Sequence, residues 1–232
     1  MPTSIDWASL TGQQDTAHLQ PLLDNPNVLL HPDALNALTR LQEQAHEQGF
    51  DIRVASGYRS FARQQLIWKN KVSGSRPLLD DAGNALDPAS LTEEQTLFAT
   101  LRWSAVPGCS RHHWGSDMDI YDAAAVPSDY DLQLTPAEVT GNGPFAPLHD
   151  WLDSVLANPN SDFFRPYATD RGGIAPERWH ISYRPLARQF EAALDEQQLL
   201  DWLMQQDILL RHCLQQHWPA IFRRFVLPSC RA

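Results

Sequence analysis

The chain has 232 residues, of which 43% are hydrophobic, and its 28 acidic and 18 basic residues give a formal net charge of -10. This length and apolar content predict a folded globule of one large domain or two small ones. Binding to phosphate backbones depends on clustered lysine and arginine, so the acidic balance argues against a nucleic-acid partner. No stretch approaches the ~20 apolar residues that a membrane span needs.

The beginning of the chain and its three cysteines bear on the cellular compartment. Residues 1–7 have neither a basic start nor an apolar run, so they do not resemble a signal peptide. We expect either a cytoplasmic protein or one separated from its leader. Three cysteines exclude a full disulfide framework, whereas a bridge between Cys213 and Cys230 stays open. We interpret Cys109 as a small buried thiol rather than a ligand or nucleophile.

Local patterns predict a mixture of helices and strands. Residues 1–31 predict a short helix or an irregular arm. Apolar spacing and end signals predict helices at residues 32–48, 61–72, 92–104, 148–156, 186–194, 199–214 and 218–225. Alternating or strand-forming stretches predict strands at residues 50–55, 118–121, 163–167 and 180–183. Segments 73–90 and 122–146 are rich in turn-forming residues and predict long loops.

The densest group of chemically versatile side chains lies in residues 110–119, Ser-Arg-His-His-Trp-Gly-Ser-Asp-Met-Asp. It holds two imidazoles and two carboxylates. A second cluster, Glu-Arg-Trp-His, occupies residues 177–180. A catalytic zinc site typically needs three His, Asp or Glu ligands, an open position for water and a nearby general base. The two clusters together contain enough groups for such a site.

The spacing of these groups indicates how they would meet. His112 and Asp119 are seven residues apart, which is too far for one helical turn and suits a loop followed by a strand. His180 would supply a third ligand from a distant strand. Glu177, three residues earlier, could activate the metal-bound water as a general base.

Neighbouring residues leave alternatives for two of the ligands. His113 competes with His112, although it could instead pack or form a structural hydrogen bond. Asp117 shares a strand face with Asp119, because side chains alternate, so periodicity does not separate the two. Asp117 could also orient a ligating histidine through a hydrogen bond.

A third segment, Ser-Gly-Tyr-Arg-Ser at residues 56–60, follows the predicted strand 50–55. Gly57 permits a sharp turn or the close approach of a ligand. Arg59 leaves the strand end, where its guanidinium group could meet a carboxylate or a developing oxyanion. The alternative is a turn with a surface arginine, and the segment alone does not decide between them.

Taken together, the three segments resemble the zinc D-alanyl-D-alanine carboxypeptidase and dipeptidase family, the VanY/VanX-like M15 peptidases. The resemblance covers about residues 30–185 and rests on motifs that occur in the family's order. These are the loop Ser56–Ser60, then Ser110-x-His112 with Asp119 seven residues after the histidine, then Glu177-x-x-His180.

The resemblance implies a role for each matching residue. His112, Asp119 and His180 would bind one zinc ion per chain, and Glu177 would be the catalytic base. Arg59 would stabilise the oxyanion or hold the substrate's carboxyl group. Further residues would line the substrate site, namely Ser56, Tyr58 and Ser110. The implied fold is α+β, a compact domain whose central antiparallel sheet carries the zinc site and is flanked by helices.

The resemblance also implies a substrate and a location. We expect a peptidase acting on the D-Ala-D-Ala end of peptidoglycan stem peptides, in the cell envelope or periplasm if a leader has been removed. Two alternatives are an L-Ala-D-Glu endopeptidase and a zinc-stabilised module that binds wall peptides without cutting them. An intact Glu177 argues against the second, because a pure binder needs no base beside the metal.

Three features depart from the family pattern: Asp117 in place of a small residue, the long segment 73–90, and a helical tail after Pro185. We therefore predict an N-terminal arm at residues 1–30, a peptidase core at 31–186, and a C-terminal helical extension at 187–232 that packs on the core. The oligomeric state stays open.

Overall fold

The computed structural model describes residues 5–81 and 83–227. Its helices are α1 (Trp7–Thr11), α2 (Pro32–Glu47), α3 (Phe61–Val72), α4 (Glu93–Trp103), α5 (Pro136–Val139), α6 (Ala146–Leu156), α7 (Arg184–Ala192), α8 (Glu196–Leu203) and α9 (Arg211–Ile221). Its strands are β1 (Gln20–Pro21), β2 (Leu29–Leu30), β3 (Ile52–Ser56), β4 (Asp117–Asp122), β5 (Phe163–Phe164) and β6 (His180–Tyr183).

The strands β3, β4, β6 and β5 form an antiparallel sheet in that order, and β1 pairs with β2 in a separate ribbon. Helices pack around the larger sheet. This arrangement confirms the predicted α+β class with a central antiparallel sheet.

One face of the sheet packs against α2 and α6 in an apolar core. Met118 and Ile120 of β4 are fully buried there, together with Leu38 of α2 and Leu148 of α6. Because successive side chains on a strand point to opposite faces, burying these two residues turns Asp117 and Asp119 to the other face. The hydrophobic pattern of β4 thus sets the direction of its acidic side chains.

A second apolar core joins the middle of the chain to the C-terminal helices. Trp68 of α3 and Leu101 of α4 lie in one buried cluster with Leu199 of α8 and Trp218 of α9. Close packing extends to the backbone, since a Cβ atom added at Gly108 would lie 2.3 Å from the ring of Trp202. The C-terminal helices are therefore packed on the same body as the residues that precede the central motif.

Local signals located several element boundaries well. Helix α3 has the predicted bounds, with the Ser60 side chain accepting a hydrogen bond from the backbone N–H of Arg63. Helix α4, predicted at residues 92–104, starts at a reciprocal capping box formed by Thr92 and Gln95. Such caps satisfy backbone N–H groups that have no partner within the helix.

The prediction of one helix from residue 199 to 214 is wrong. Helix α8 ends at Leu203, and Leu210 has a left-handed φ of 61° immediately before α9. Two side chains of α3 stabilise the break: Trp68 Nε1 donates to the carbonyl of Leu209 at 3.1 Å, and Gln65 Nε2 donates to that of Asp207 at 2.6 Å. The separate last helix predicted at 218–225 is also wrong, since α9 runs directly into a π-helical turn, Phe222–Val226.

The strand predicted at 163–167 is shorter than expected, because only Phe163 and Phe164 pair with β6. Cys109 and Cys213 are buried thiols, and Cys230 lies outside the described residues. None of the helices formed by the described residues combines the length and apolar content that a bilayer span requires.

Candidate active site

Three predicted metal ligands converge at the polar face of the sheet. The strand register places Asp119 of β4 directly opposite His180 of β6, and His112 comes from a 3₁₀ turn, Arg111–Trp114, before β4. One ligand atom from each lies within 4.8 Å of the others. The Asp119 carboxylate is 3.4 Å from His112 Nε2 and 3.1 Å from His180 Nδ1. We call these three residues the metal cluster.

Hydrogen bonds decide which nitrogen of each imidazole faces the cluster. His112 Nδ1 lies 2.8 Å from the carbonyl oxygen of Gly57, which only accepts, so Nδ1 carries the proton. His180 Nε2 lies 2.9 Å from the Asp117 carboxylate and donates to it. In the neutral rings, the opposite nitrogens, His112 Nε2 and His180 Nδ1, therefore direct their lone pairs toward Asp119. Two lone pairs and a carboxylate around one point suit a divalent cation such as zinc.

His113, the competing histidine, uses both of its nitrogens elsewhere. Nδ1 donates to the carbonyl of Arg59 at 2.6 Å, and Nε2 accepts from the backbone N–H of Gly108 at 3.0 Å. Burial lowers its pKa to about 3, which keeps the ring neutral. His113 therefore joins two backbone segments behind the site and does not point into the metal cluster.

Asp117, the competing carboxylate, is also committed to other partners. One oxygen accepts from Arg111 Nε at 2.8 Å and from His180, and the other accepts from the hydroxyl groups of Ser116 and Ser182. Burial would raise the pKa of Asp117, but the Arg111 charge and the hydrogen bonds outweigh burial and lower it. Asp117 therefore orients His180, the role that sequence reasoning had left open for it.

The Asp117 network continues into the C-terminal helices. Arg111, only 3% exposed, donates to the carboxylate of Glu191 on α7 and, through Nη2, to Ser182 at 2.8 Å. We call Arg111, Ser116, Asp117, Ser182 and Glu191 the closed cluster. It supports His180 from the side away from Asp119, as the partners of metal-binding histidines commonly do.

Glu177 lies at the edge of the metal cluster, on the turn that leads into β6. Its carboxylate is 3.7 Å from His180 Nδ1, and its backbone N–H donates to the carbonyl of Tyr167 at 3.0 Å. Burial and the nearby charge of Asp119 raise the pKa of Glu177 to about 7, against the opposing charges of His180, Arg59 and Lys71. A carboxylate with such a pKa can both accept and return a proton near neutrality.

Arg59 is held in place by polar side chains, and no carboxylate in the described part of the chain forms an ion pair with it. Its Nη1 donates to Gln64 Oε1 at 2.8 Å and its Nη2 to Ser56 Oγ at 3.2 Å. Gln64 is itself fixed by donating to Ser104 Oγ and to the carbonyl of Ala105. A shift in strand register after Val54 pairs Ser56 with Asp119. Ser56, predicted to line the substrate site, contacts Arg59 but is not part of the wall of the cavity around the metal cluster.

The metal cluster, Glu177 and Arg59 line one cavity of about 500 Å³. Its wall includes the three residues of the metal cluster, Glu177, Arg59 and Ser110. Tyr58, predicted to line the substrate site, is not part of this wall. Its hydroxyl donates instead to the carbonyl of Gly12 near the end of α1, at 3.4 Å. The N-terminal arm thus provides its partner, and a role of Tyr58 in substrate binding stays a prediction.

Sequence reasoning missed Arg111, Gln64 and Lys71. Arg111 lies inside the central motif, yet only the fold shows that it is buried against Asp117. Gln64 occupies a fully buried position on α3, so a polar residue on that helix's buried side was an available signal. Lys71 lines the cavity from the last turn of α3, where a lysine also suits the helix dipole and gave no separate signal.

Comparison with known proteins identifies the family. The sequence model of the VanY family, described as D-alanyl-D-alanine carboxypeptidase, matches residues 27–186. The chain belongs to this family. The match ends within α7, so α8 and α9 follow the matched part.

Two uncharacterized proteins of Haemophilus influenzae are similar in sequence. One is 44% identical over 86 residues, which are 37% of this chain and 59% of the relative. The other is 33% identical over 124 residues, or 53% of this chain and 93% of the relative.

Solved structures share the fold at low sequence identity. VanYB in complex with D-alanine-D-alanine is 24% identical, with 82% of this chain and 90% of that chain covered and a TM-score of 0.51. The LdcB LD-carboxypeptidase is 21% identical, with 79% and 77% covered and a TM-score of 0.51. At these identities the likeness concerns the fold.

Proposed function

We propose that this protein is a zinc-dependent D,D-carboxypeptidase that removes the terminal D-alanine from peptidoglycan stem peptides ending in D-Ala-D-Ala. Membership of the VanY family supports the reaction class. The observation that carries the proposal is the convergence of two imidazole lone pairs and the Asp119 carboxylate beside Glu177, in a cavity that also contains Arg59. That VanYB has been described with D-alanine-D-alanine is consistent with the substrate.

Zinc would be held by His112, Asp119 and His180, and when bound it supplies Lewis acidity, which polarises a carbonyl group and acidifies water. Glu177 takes the proton from the attacking water and returns it to the leaving amine of D-alanine. Its partial burial and its position next to His180 suit both transfers.

Arg59 stabilises the negative charge that develops on the carbonyl oxygen of the scissile bond. Its hydrogen bonds to Gln64 and Ser56 hold the guanidinium group before substrate arrives. Preorganised donors of this kind contribute on the order of 100-fold or more to rate, because no reorganisation is needed during the reaction.

The test is a panel of muropeptides incubated with zinc-loaded protein and analysed by mass spectrometry. We expect loss of one D-alanine from pentapeptide stems and no cleavage between L-alanine and D-glutamate. Cleavage at the latter bond would favour an endopeptidase, and binding without any cleavage would favour a non-catalytic module.

Glu177→Gln tests the assignment of the base. We expect the variant to retain one zinc ion per chain by metal analysis and to lose turnover by about 100- to 10,000-fold, the usual contribution of general acid-base catalysis. Turnover within a few-fold of the wild type would remove Glu177 from this role.

A further inference from the structure

The segment that carries both Glu177 and His180 also contains an arginine that the proposed chemistry does not use. This segment, Glu-Arg-Trp-His at residues 177–180, turns into β6 through a hydrogen bond from the backbone N–H of His180 to the carbonyl of Glu177 at 3.2 Å. The carbonyl of Trp179 accepts from the backbone N–H of Ile120 on β4 at 3.0 Å. We call residues 177–180 the catalytic turn.

Glu177 depends on this turn for its position. In the part of the chain that the structure describes, no group donates a hydrogen bond to its carboxylate. The nearest nitrogen of His180, Nδ1, is 3.7 Å away, which is too far for a hydrogen bond. The backbone that carries Glu177 must therefore fix where the carboxylate lies relative to the metal cluster.

One carbonyl of the catalytic turn is held by a side chain. Arg165 follows β5, which pairs with β6, and its Nε donates to the carbonyl of Arg178 at 2.8 Å. Its Nη1 forms an ion pair with Asp153 on α6, and its Nη2 donates to the carbonyl of His149 at 3.3 Å. The Arg165 side chain is only 7% exposed, so three partners fix a buried and planar guanidinium group.

Asp153 joins this guanidinium group to the side chain of Arg178. Its second oxygen accepts from Arg178 Nη2 at 2.7 Å, and the same Nη2 donates to Asp150 at 2.8 Å. Arg178 Nη1 donates to the carbonyl of Val139 at the end of α5, at 2.6 Å. The catalytic turn is therefore anchored to α5 and α6 through Arg165 and Arg178.

We propose that Arg165 is a positioning residue, which sets the place of the Glu177 carboxylate by holding the carbonyl of Arg178, while Asp153 fixes the guanidinium group. This inference rests on the proposed function and adds the residues that position its base. A misplacement of about 1 Å can lower a rate by about 100-fold. A displaced base weakens transition-state stabilisation but not substrate binding, so loss of the anchor should lower kcat and leave KM unchanged.

Asp153→Ala and Asp150→Ala are matched probes of this anchor. Both residues lie on α6, are exposed and accept from Arg178 Nη2, but of the two only Asp153 also forms a hydrogen bond with Arg165. The substrate is an N-acetylated tripeptide ending in D-Ala-D-Ala, with zinc bound to the protein. For Asp153→Ala we expect kcat per bound zinc to fall about 3- to 10-fold with unchanged KM, the equivalent of one hydrogen bond. Asp150→Ala should match the wild type, and equal kcat values for the two variants would overturn the proposal.

Arg165→Lys removes the hydrogen bond to the Arg178 carbonyl and retains the positive charge. We expect kcat per bound zinc to fall by about 10- to 100-fold with unchanged KM. Arg184→Lys is the control, because Arg184 donates from Nε and Nη2 to the carbonyls of Ser161 and Phe163 and the same change there leaves the catalytic turn intact. Similar kcat values for the two variants would overturn the proposal. Should Arg165→Lys not fold, the two α6 variants decide.

Hydrogen exchange separates this proposal from the proposed function, because it requires no turnover. In the metal-free protein, peptides that contain the catalytic turn should exchange about 3- to 10-fold faster in Arg165→Lys and Asp153→Ala, whereas peptides of α2 should be unaffected. If the wild type cleaves no muropeptide but this faster exchange is present, the peptidase assignment fails and Arg165 still anchors the turn. Cleavage by the wild type together with unchanged exchange in both variants would overturn the Arg165 proposal alone.

Discussion

His180 lies between two groups of polar and charged side chains. The two groups contain similar residue types but have different roles. On its Nδ1 side is the metal cluster, where the Asp119 carboxylate meets two imidazole nitrogens. On its Nε2 side is the closed cluster, where Asp117 meets Arg111. The two aspartates are two residues apart on one strand and both are buried.

The difference between the two groups lies in how completely the carboxylate is satisfied. Asp117 accepts from a guanidinium group, two hydroxyl groups and an imidazole, so its charge is balanced within the protein. Asp119 faces nitrogens whose protons are directed elsewhere, toward Gly57 and Asp117. A buried anion surrounded by lone pairs calls for a cation, whereas a balanced one stabilises structure. The same substitution should therefore act mainly on metal binding at Asp119 and mainly on stability at Asp117.

Asp119→Asn tests the metal cluster and should have the largest effect. We expect loss of stoichiometric zinc and of all measurable turnover, because a neutral amide replaces the only anionic ligand. The stability of the metal-free protein should change by less than about 1 kcal/mol, since His180 keeps its hydrogen bond to Asp117. Metal analysis and denaturant unfolding in chelator check both points.

Adding zinc should also fail to raise the melting temperature of Asp119→Asn. A ligand stabilises the folded state only at concentrations near or above its dissociation constant, and the variant should not bind zinc at such concentrations. Full zinc retention by the variant would contradict the ligand assignment.

The metal cluster is the part of the site that sequence alone predicted best. The residue types and spacing of His112, Asp119, Glu177 and His180 indicate a metal site with a nearby base even when the fold is unknown. The alternation of Met118 and Ile120 with the aspartates even predicted the shared face of Asp117 and Asp119. The signals that end helices are equally local, and they located the ends of α3 and α4 to within a residue.

The closed cluster was beyond sequence reasoning because its members meet only in three dimensions. Arg111 and Asp117 are six residues apart, but Ser182 and Glu191 come from distant elements. Periodicity treats Asp117 and Asp119 alike, and only their neighbours distinguish them. The break before α9 was missed for the same reason, since its partners Gln65 and Trp68 are on α3.

Asp117→Asn tests the closed cluster and should affect stability first. The variant leaves the buried charge of Arg111 with less compensation, and breaking such a pair costs about 3 kcal/mol or more. For a chain of this size we expect a fall in melting temperature of about 6 to 12 °C. Zinc affinity should fall about 10- to 100-fold, because His180 loses an anionic partner for its Nε2 proton.

The contrast with Asp119→Asn is the informative measurement. Unfolding of the two metal-free variants, followed by competition for zinc with a chromophoric chelator, gives both quantities on the same samples. If Asp117→Asn were as stable as the wild type while losing zinc entirely, Asp117 would belong to the metal cluster instead.

Glu191→Gln is the mildest change that still separates the two clusters. Glu191 lies on α7, beyond the part of the chain that matches the family, and its carboxylate accepts a hydrogen bond from Arg111. Gln keeps an acceptor and removes the charge, so we expect a loss of about 1 kcal/mol in unfolding free energy. Zinc affinity should change by less than about threefold, since the effect must pass through Arg111 and Asp117.

Glu43→Gln, an exposed position on α2, serves as the control for loss of one negative charge and should leave both quantities unchanged. A drop in zinc affinity for Glu191→Gln as large as that for Asp117→Asn would mean that the C-terminal helices set the position of His180 directly. No change in stability would mean that Asp117 alone balances the charge of Arg111. The closed cluster would then not depend on Glu191 of α7.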